Sequence, residues 1–579
     1  MNGKKGFQIR KMGVNSVENK VSRYGRWEYL FDSAQHVDRV ELSAPSGKKI
    51  TRLTFDHQPV RFMYDHHGFE QMVAVGPMRT AVRYTPQECG KYQFIAFCGE
   101  RQVEAGYFEC VPSDHPGYVT ISKKDPRYFS LTNGEPYCAI GLNLCAPPFY
   151  PLPQGMQHFL VDEEKATIGL REYRRWFRLL AENGGNFARI WLSNPYFQTE
   201  TEVAGEVNPI LFNRLDGVVE LAREYHIRLK LCFDHFRAFE SNNPVTQTFF
   251  LRRLVHPADG RSPSSLEEWL SHPDWQDLWF KKVQAYLVRY GGDPVVMAWE
   301  LWNEMDCVET NRWELVREWT KTMLRRIKEQ EPDQLVVNSL GSFDEERKSV
   351  IYNDFMMNEM DFQQVHRYLD QGAPLKICTL DPVALSIDAV QRARRPDKPI
   401  LLAETGAVND RHTGPFRYYR MDRRGIIFHD TTFPAFFAGA AGTGQNWFWD
   451  SYVDQKDLWE QFRPFVDLIQ GIALDREAFQ IMDLSDSQAW CLALNGSSTL
   501  LVWVRNRADS WDLVLRDEVE PVVLGSLHFQ LPIPAYPIKR VQVFPAWHGT
   551  EPDLKVQISE GYLEVTGLHY AVMVRADYY

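Results

Sequence analysis

Two glutamates that follow apolar stretches have the chemistry of an acid–base pair. Glu304 closes VVMAWELWNE at residues 295–304, and Glu404 closes PILLAE at residues 399–404. Each stretch has the continuous apolar character of a parallel strand that is buried on both faces. One carboxyl group at such a strand end can protonate a leaving oxygen while the other attacks a carbon. Because cleavage of a glycosidic bond needs this pair, the two stretches predict a glycoside hydrolase.

Four further polar residues lie at strand ends or interrupt strands. Asn303 precedes Glu304 and would donate a hydrogen bond to the sugar 2-hydroxyl, although a strand-end turn also uses such an amide. Arg189 interrupts the apolar run NFARIWL, where its charge would hold Glu404 ionised or form a purely structural ion pair. His366 and Tyr368 in VHRYL follow another apolar run, and Tyr368 could hydrogen-bond the nucleophile.

Three more candidates could contact sugar. Asp234 and His235 follow the third predicted strand and would bind sugar hydroxyls; no further ligands nearby support a metal site. Trp447 and Trp449 lie in the last predicted strand, and at most one of them is expected to stack on sugar. We prefer Trp447 as the residue that stacks on sugar. No metal or cofactor is expected.

The elements that must position these residues alternate between strand and helix. The apolar runs predict eight strands, at 137–144, 186–192, 227–233, 295–301, 335–339, 362–366, 400–403 and 445–449. Helical periodicity predicts helices that include 169–183, 209–225 and 311–330. Eight such units over about 330 residues predict a (β/α)8 TIM barrel, whose active site lies at the C-terminal ends of the strands.

Short strands without helical periodicity surround this region. We predict a flexible N-terminus at 1–20, an N-terminal β-sandwich at 21–117, the catalytic barrel at 118–471 and a C-terminal β-sandwich at 472–579. Asn495-Gly496 between two apolar runs predicts a hairpin in the last domain.

Composition narrows the partners and the compartment. The 579 residues carry a formal charge of −11, which argues against nucleic acid or an anionic membrane as a partner. No apolar run of signal-peptide or membrane-span length is present, and nine scattered cysteines form no CxxC pair. We therefore expect a cytoplasmic protein with reduced thiols that acts on a small carbohydrate, and leave homo-oligomerisation open.

The motifs around these residues resemble those of the retaining (β/α)8 glycoside hydrolases of clan A, and most of all family 5. The matching pieces are NFARIW with Arg189, Asp234-His235, WELWNE with Asn303-Glu304, His366-x-Tyr368, LLAETG with Glu404 and QNWFWD with Trp447. The resemblance implies a retaining mechanism with Glu304 as acid/base, Glu404 as nucleophile and no cofactor. Residues 106–122 and 125–143 are similar to the junction between an N-terminal DUF5060 domain and such a barrel.

Three functions fit this pattern. The first is an exo-acting glycosidase on short oligosaccharides or small glycosides, with a pocket walled by the long segments 234–274 and 409–432. The second is a transglycosylase that uses the same residues with a sugar acceptor. The third is an inactive carbohydrate-binding barrel, against which the intact Glu304 and Glu404 argue. One departure from family 5 cellulases is Thr405-Gly406, where those enzymes usually have Phe or Tyr, so a cellulase-type substrate is not expected.

Overall fold

The computed structural model describes most of the chain. The described residues are 20–32, 36–150, 166–239, 253–308, 310–356, 359–410, 412, 414–531, 537–547, 549, 551–559 and 561–579. The predicted flexible N-terminus falls outside this part of the chain, except for its last residue. Parts of the predicted pocket walls at 234–274 and 409–432 fall outside it as well.

The middle of the chain forms the predicted (β/α)8 barrel. Its regular strands are β1 (Gly141–Asn143), β2 (Phe187–Trp191), β3 (Arg228–Asp234), β4 (Val296–Trp302), β5 (Leu335–Val337), β6 (Gln363–His366) and β7 (Ile400–Glu404). Strands β1 to β5 pair in parallel in chain order, and β6 pairs in parallel with β7. The longer helices between and after them are Leu170–Glu182, Phe212–Glu224, Pro273–Tyr290, Trp313–Gln330, Glu346–Met356, Pro382–Ala393 and Phe462–Ile469.

The eighth strand position differs from the prediction. Residues 445–449 form no regular strand; the chain instead makes single bridges from Gly442 to Ala139 and from Asn446 to Thr405, and a π-helical turn begins at Trp449. A Cβ on Gly442 would lie 2.3 Å from the carbonyl oxygen of Ala139, so the backbones approach more closely than a side chain permits. This close passage between β7 and β1 replaces an ordinary ladder.

The barrel strands are buried on both faces, as their apolar sequences predict. Every residue of β2, β3, β4 and β7 is buried. Charged side chains also lie in this interior, among them Arg189, Lys230 and Glu300, which are all fully buried. Since isolated buried charges are costly, these three residues must be paired with one another or with neighbours.

The chain divides into two compact units. One comprises the described residues up to Gln58, together with Pro77–His115 and Val288–Asp293; the other comprises Pro59–Gly76, Pro116–Leu287 and Pro294–Tyr579. The first unit contains sheets built from Lys20–Ser22, Trp27–Leu30, Arg39–Ser43, Lys49–Leu53, Phe55–His57, Arg79–Tyr84, Gly90–Cys98 and Arg101–Val111. Their buried faces share one apolar core, as in a β-sandwich. The domain boundaries proposed above stay a prediction.

The end of the chain, within the second unit, forms another β-sandwich. Its five-stranded sheet contains Gln480–Asp483, Ala489–Asn495, Thr499–Asn506, Ile538–Pro545 and Ala571–Tyr578, and its three-stranded sheet contains Leu524–Gln530, Lys555–Ser559 and Tyr562–Leu568. The predicted hairpin forms by antiparallel pairing of Ala489–Asn495 with Thr499–Asn506. Across the described residues, every helix is too short or too polar to traverse a lipid bilayer.

Candidate active site

The two predicted acids meet at one end of the barrel. Glu404 is the last residue of β7, and Glu304 lies two residues beyond the end of β4. Because the carboxyl ends of parallel barrel strands share one face, both side chains reach the same site. One oxygen of each carboxyl and one ring nitrogen of His366 all lie within 4.8 Å of one another.

Glu304 leaves its strand through an unusual backbone conformation. Its φ of 52° and ψ of 60° fall in the left-handed region, which a residue with a side chain seldom adopts. The turn is held from β5's far end, where Ser339 Oγ accepts the Glu304 N–H at 3.1 Å and Asn338 Oδ1 accepts the Trp302 N–H at 3.0 Å. The strained turn thus directs the carboxyl group toward Glu404.

Glu404 is surrounded by hydrogen-bond donors. Arg189 donates from Nη1 to Oε1, and the Tyr368 hydroxyl donates to Oε2 at 2.6 Å. His366 Nδ1 lies 3.5 Å from Oε2. Burial raises the pKa of Glu404, while Arg189 and Tyr368 act in the opposite direction by stabilising the carboxylate. Both donors are thus placed to stabilise the ionised form of this side chain.

Glu304 has different neighbours. Burial, and after it the negative charge of Asp306, raise its pKa to about 8, so the carboxyl holds a proton at neutral pH. His366 Nδ1 is 2.8 Å from Oε1, and the Cys307 thiol donates to Oε2 at 3.6 Å. Burial lowers the pKa of His366 to about 4, which leaves this imidazole neutral beside both acids.

Asn303 lies in this site with one group unused. Its Oδ1 accepts a hydrogen bond of 2.7 Å from Arg189 Nη2, which fixes the orientation of the amide. Among the described residues, none accepts a hydrogen bond from its buried Nδ2. A buried amide N–H without a partner costs free energy, and a sugar hydroxyl could satisfy it.

Asp234 and His235 are occupied by protein contacts. Asp234 is fully buried and accepts hydrogen bonds from Arg237 at 2.8 Å, Trp279 at 2.7 Å and Lys282 at 2.5 Å. His235 Nδ1 bonds Ser193 Oγ at 2.6 Å, and its ring stacks on Trp191 at 4.8 Å. We therefore assign Asp234 a structural role in place of the predicted contact with sugar.

Trp447 lies beside the predicted site residues, but is almost buried. Its ring contacts Trp191 at 4.7 Å and Trp449 at 5.6 Å, and only 4% of the residue is exposed. Trp449 is fully buried against Trp176. Trp447 is the more exposed of the two tryptophans, and its role as a sugar platform stays a prediction.

Sequence reasoning missed three polar residues beneath the site. Glu300 binds Arg189 through two hydrogen bonds, and Lys230 and Gln364 both contact Glu300. The signal was present, because Glu300 and Lys230 interrupt apolar strands in the same way as Arg189.

Within the described part of the chain, two groups of side chains have the geometry to hold a metal ion. One is Glu304, His366 and Glu404, and the other is Asp344, Asp370 and His412. In the first group the Arg189 guanidinium already neutralises Glu404. In the second group Lys348 lies 3.2 Å from Asp344. Both cations oppose the binding of a metal, and no metal enters the chemistry below.

Comparison with known proteins agrees with the barrel fold. The model of the family described as cellulase, glycosyl hydrolase family 5, matches residues 155–422. The barrel is a family-5-like glycoside hydrolase domain of clan A. The match covers less than half of the chain and includes β2 to β7 with both glutamates.

Relatives of this glycoside hydrolase domain include plant enzymes. The chain is 26% identical to mannan endo-1,4-beta-mannosidase 7 of Arabidopsis thaliana over 305 residues, which cover 48% of this chain and 66% of that protein. It is 24% identical to mannan endo-1,4-beta-mannosidase 1 of the same plant, over 48% of this chain and 71% of that protein. The chain thus spans about two thirds of the length of these relatives.

A solved structure extends the likeness to the flanks. A candidate glycoside hydrolase from Bacteroides vulgatus ATCC 8482 superposes with a TM-score of 0.56 at 14% identity, covering 97% of this chain and 100% of that chain. At this identity the likeness concerns the fold alone. The resemblance of the N-terminal region to DUF5060 domains stays a prediction.

Proposed function

We propose that the protein is a retaining glycoside hydrolase that releases single sugars from short β-linked mannosides, with Glu404 as nucleophile and Glu304 as acid/base. The observation that carries this proposal is the unequal environment of two adjacent carboxyl groups. Glu404 receives hydrogen bonds from Arg189 and Tyr368, whereas Glu304 is held protonated by burial and by Asp306. An acid and a nucleophile need these opposite protonation states.

The first step forms a covalent intermediate. Glu404 attacks the anomeric carbon while Glu304 donates its proton to the departing glycosidic oxygen. A retaining enzyme needs carboxyl groups about 5–5.5 Å apart, whereas an inverting enzyme leaves room for water at roughly 6.5–9.5 Å. One oxygen of each carboxyl group lies within 4.8 Å of one oxygen of the other, a short approach that supports retention.

The second step reverses the role of Glu304. Formation of the ester removes the negative charge of Glu404, so Glu304 loses its proton more easily and can accept one from water. The activated water then attacks the anomeric carbon and releases Glu404. Asn303 Nδ2 would donate to the 2-hydroxyl through both steps, because it is buried and no described residue accepts a hydrogen bond from it.

The sugar and the mode of action rest on separate arguments. Mannose is proposed from the mannan-cleaving relatives, since nothing else distinguishes among sugars. Exo action is proposed from the long segments that follow β3 and β7, because loops on this barrel face build the substrate site. The small exposed surface of Trp447 also fits a narrow pocket. Cytoplasmic location and homo-oligomerisation stay predictions.

Digestion of mannohexaose tests this proposal. We expect mannose and mannopentaose to be the only products at the first time points. A mixture of mannobiose, mannotriose and mannotetraose without early mannose would contradict exo action. Parallel assays with nitrophenyl α- and β-glycosides would show whether another sugar is preferred, and Glu404→Gln is the inactive control.

A further inference from the structure

Four buried charges lie together at the base of the site. Arg189 and Lys230 are positive, Glu300 and Glu404 are negative, and each is at most 3% exposed. Lys230 Nζ lies 3.4 Å from Glu300 Oε2, and Arg189 contacts both carboxylates. The catalytic steps above use only Glu404 and Arg189, so Glu300 and Lys230 need a separate explanation.

Every N–H group of Arg189 is used. Its Nε–H and one N–H of Nη2 donate hydrogen bonds to the two oxygens of Glu300, at 2.7 and 2.8 Å. The second N–H of Nη2 donates to Asn303. Nη1 donates to Glu404 and, at 3.2 Å, to Asn143. A planar guanidinium with five engaged donors has one orientation, and Glu300 holds the side opposite Glu404.

The side chain of Glu300 is itself held in place by residues of other barrel strands. Gln364 Nε2 donates to its Oε1 at 3.0 Å and also to the carbonyl oxygen of Asn338 at 2.9 Å. Burial lowers the pKa of Lys230 to about 8, which still leaves the ammonium charged at acidic and neutral pH. The positive charge of Arg189 is therefore divided between two carboxylates, and Lys230 balances the second one.

We propose that Glu300 is a positioning residue for the nucleophile: it orients Arg189 and takes up part of its charge, and Lys230 offsets Glu300. This inference rests on the proposed role of Glu404. If Arg189 were paired with Glu404 alone, the guanidinium would stabilise the carboxylate too strongly and weaken it as a nucleophile. If Glu300 lacked Lys230, its negative charge would oppose ionisation of Glu404.

A purely structural ion pair inside the barrel makes a different prediction. Removing either partner of such a pair would destabilise the fold. It would not shift the pH dependence of the reaction at Glu404 in one direction for Glu300 and in the other for Lys230. The titratable groups that act on Glu404 are Cys145, Arg189, Glu304, Tyr352, His366 and Tyr368, with Glu300 and Lys230 one contact farther away. Only the last two are changed in the test.

The test measures the rate at which 2-deoxy-2-fluoro-β-mannosyl fluoride labels Glu404, across a range of pH. In this reaction the Glu404 carboxylate forms an ester bond to the anomeric carbon and fluoride departs, so the rate reports the nucleophile without a need for the acid. The acid limb of the profile marks ionisation of Glu404 in the free enzyme. Peptide mass spectrometry identifies the labelled residue.

Glu300→Gln and Lys230→Met should move the acid limb of the labelling profile in opposite directions. Glu300→Gln removes a negative neighbour, so the acid limb should move to lower pH by about one unit, and labelling at the plateau should slow by about 10²-fold as Arg189 loses its orientation. Lys230→Met removes a positive neighbour, so the limb should move to higher pH. The double variant should return the limb toward its original position.

Two controls separate charge from packing. Glu300→Asp keeps the charge but shortens the side chain, so labelling should slow while the acid limb stays in place. Glu172→Gln removes a buried carboxylate that pairs with Arg175 on a barrel helix, and it should change neither property. Thermal melting checks that each variant is folded; if Glu300→Gln does not fold, the upward shift in Lys230→Met still decides the matter.

The experiment distinguishes failure of this inference from failure of the proposed role of Glu404. Labelling of Glu404 in the unchanged protein, with opposite shifts in the two single variants, supports the inference. Labelling of Glu404 with unmoved limbs, or with both limbs moved in the same direction, overturns it while leaving the nucleophile assigned. Labelling of a different residue overturns the role of Glu404 and the inference with it.

Discussion

Glu304 and Glu404 occupy matching positions at the ends of barrel strands, yet their surroundings assign them opposite tasks. Glu404 faces Arg189 and Tyr368, which donate hydrogen bonds to its carboxylate. Glu304 faces Asp306, whose negative charge favours the protonated acid, and the weakly donating thiol of Cys307. A strand-end position brings an acid to the site, and the neighbouring charges then determine what that acid does.

Loss of the nucleophile is expected to have the largest effect. Glu404→Ala should reduce turnover of every substrate by on the order of 10⁵-fold or more, because no other group can form the covalent intermediate. Azide should restore cleavage of activated aryl glycosides and give the glycosyl azide of inverted configuration, which NMR identifies. Turnover within tenfold of the unchanged protein would show that Glu404 is not the nucleophile.

The effect of removing the acid Glu304 on the rate should depend on the leaving group of the substrate. Glu304→Ala should slow cleavage of mannosides with poor leaving groups by about 10²–10⁴-fold, because these need protonation. Nitrophenyl leaving groups need little protonation, so the loss in their first step should be smaller, and azide should give a product of retained configuration. An equal loss for both kinds of substrate would contradict the difference between the two glutamates.

The pH profile tests the same difference without a mutation. Glu304 must be protonated to act as acid, and burial raises its pKa to about 8. The rate on poor leaving groups should therefore be sustained below pH 8 and fall about tenfold per unit above it. Glu304→Ala should remove this alkaline limb. A limb that persists unchanged in the variant would belong to another group.

Much of this arrangement could be predicted from the sequence. The apolar runs locate seven of the eight barrel strands, because a strand that is buried on both faces must be apolar throughout. Glu304 and Glu404 stand out because a charged residue follows such a run. The eighth strand position could not be predicted, since its path depends on the close approach of Gly442 to Ala139 across the barrel.

Asp234 shows where strand-end reasoning fails. Like Glu404 it is the last residue of a barrel strand, and the sequence alone predicts that both contact the sugar. The difference comes from Arg237 and Lys282, which reach Asp234 from a following loop and from a helix. Partners so distant in the chain, such as Lys282, leave no local signal beside the aspartate.

The smallest effect on catalysis should come from this third acid. Asp234→Asn keeps the shape of the side chain but leaves Lys282 and Arg237 without one buried negative charge, which should destabilise the fold by about 3 kcal/mol. We expect a lower midpoint of thermal unfolding and an unchanged kcat at 25 °C. A large loss of kcat in fully folded protein would instead place Asp234 among the sugar-binding residues.

The configuration of the first-formed product tests the central claim most directly. If Glu404 forms a covalent intermediate, water attacks from the face that the leaving group vacated, and the released sugar keeps the anomeric configuration of the substrate. Proton NMR during the first minutes of hydrolysis of a β-mannoside should therefore show β-mannose before mutarotation. Initial release of α-mannose would mean a single displacement and would contradict the assignment of Glu404 as nucleophile.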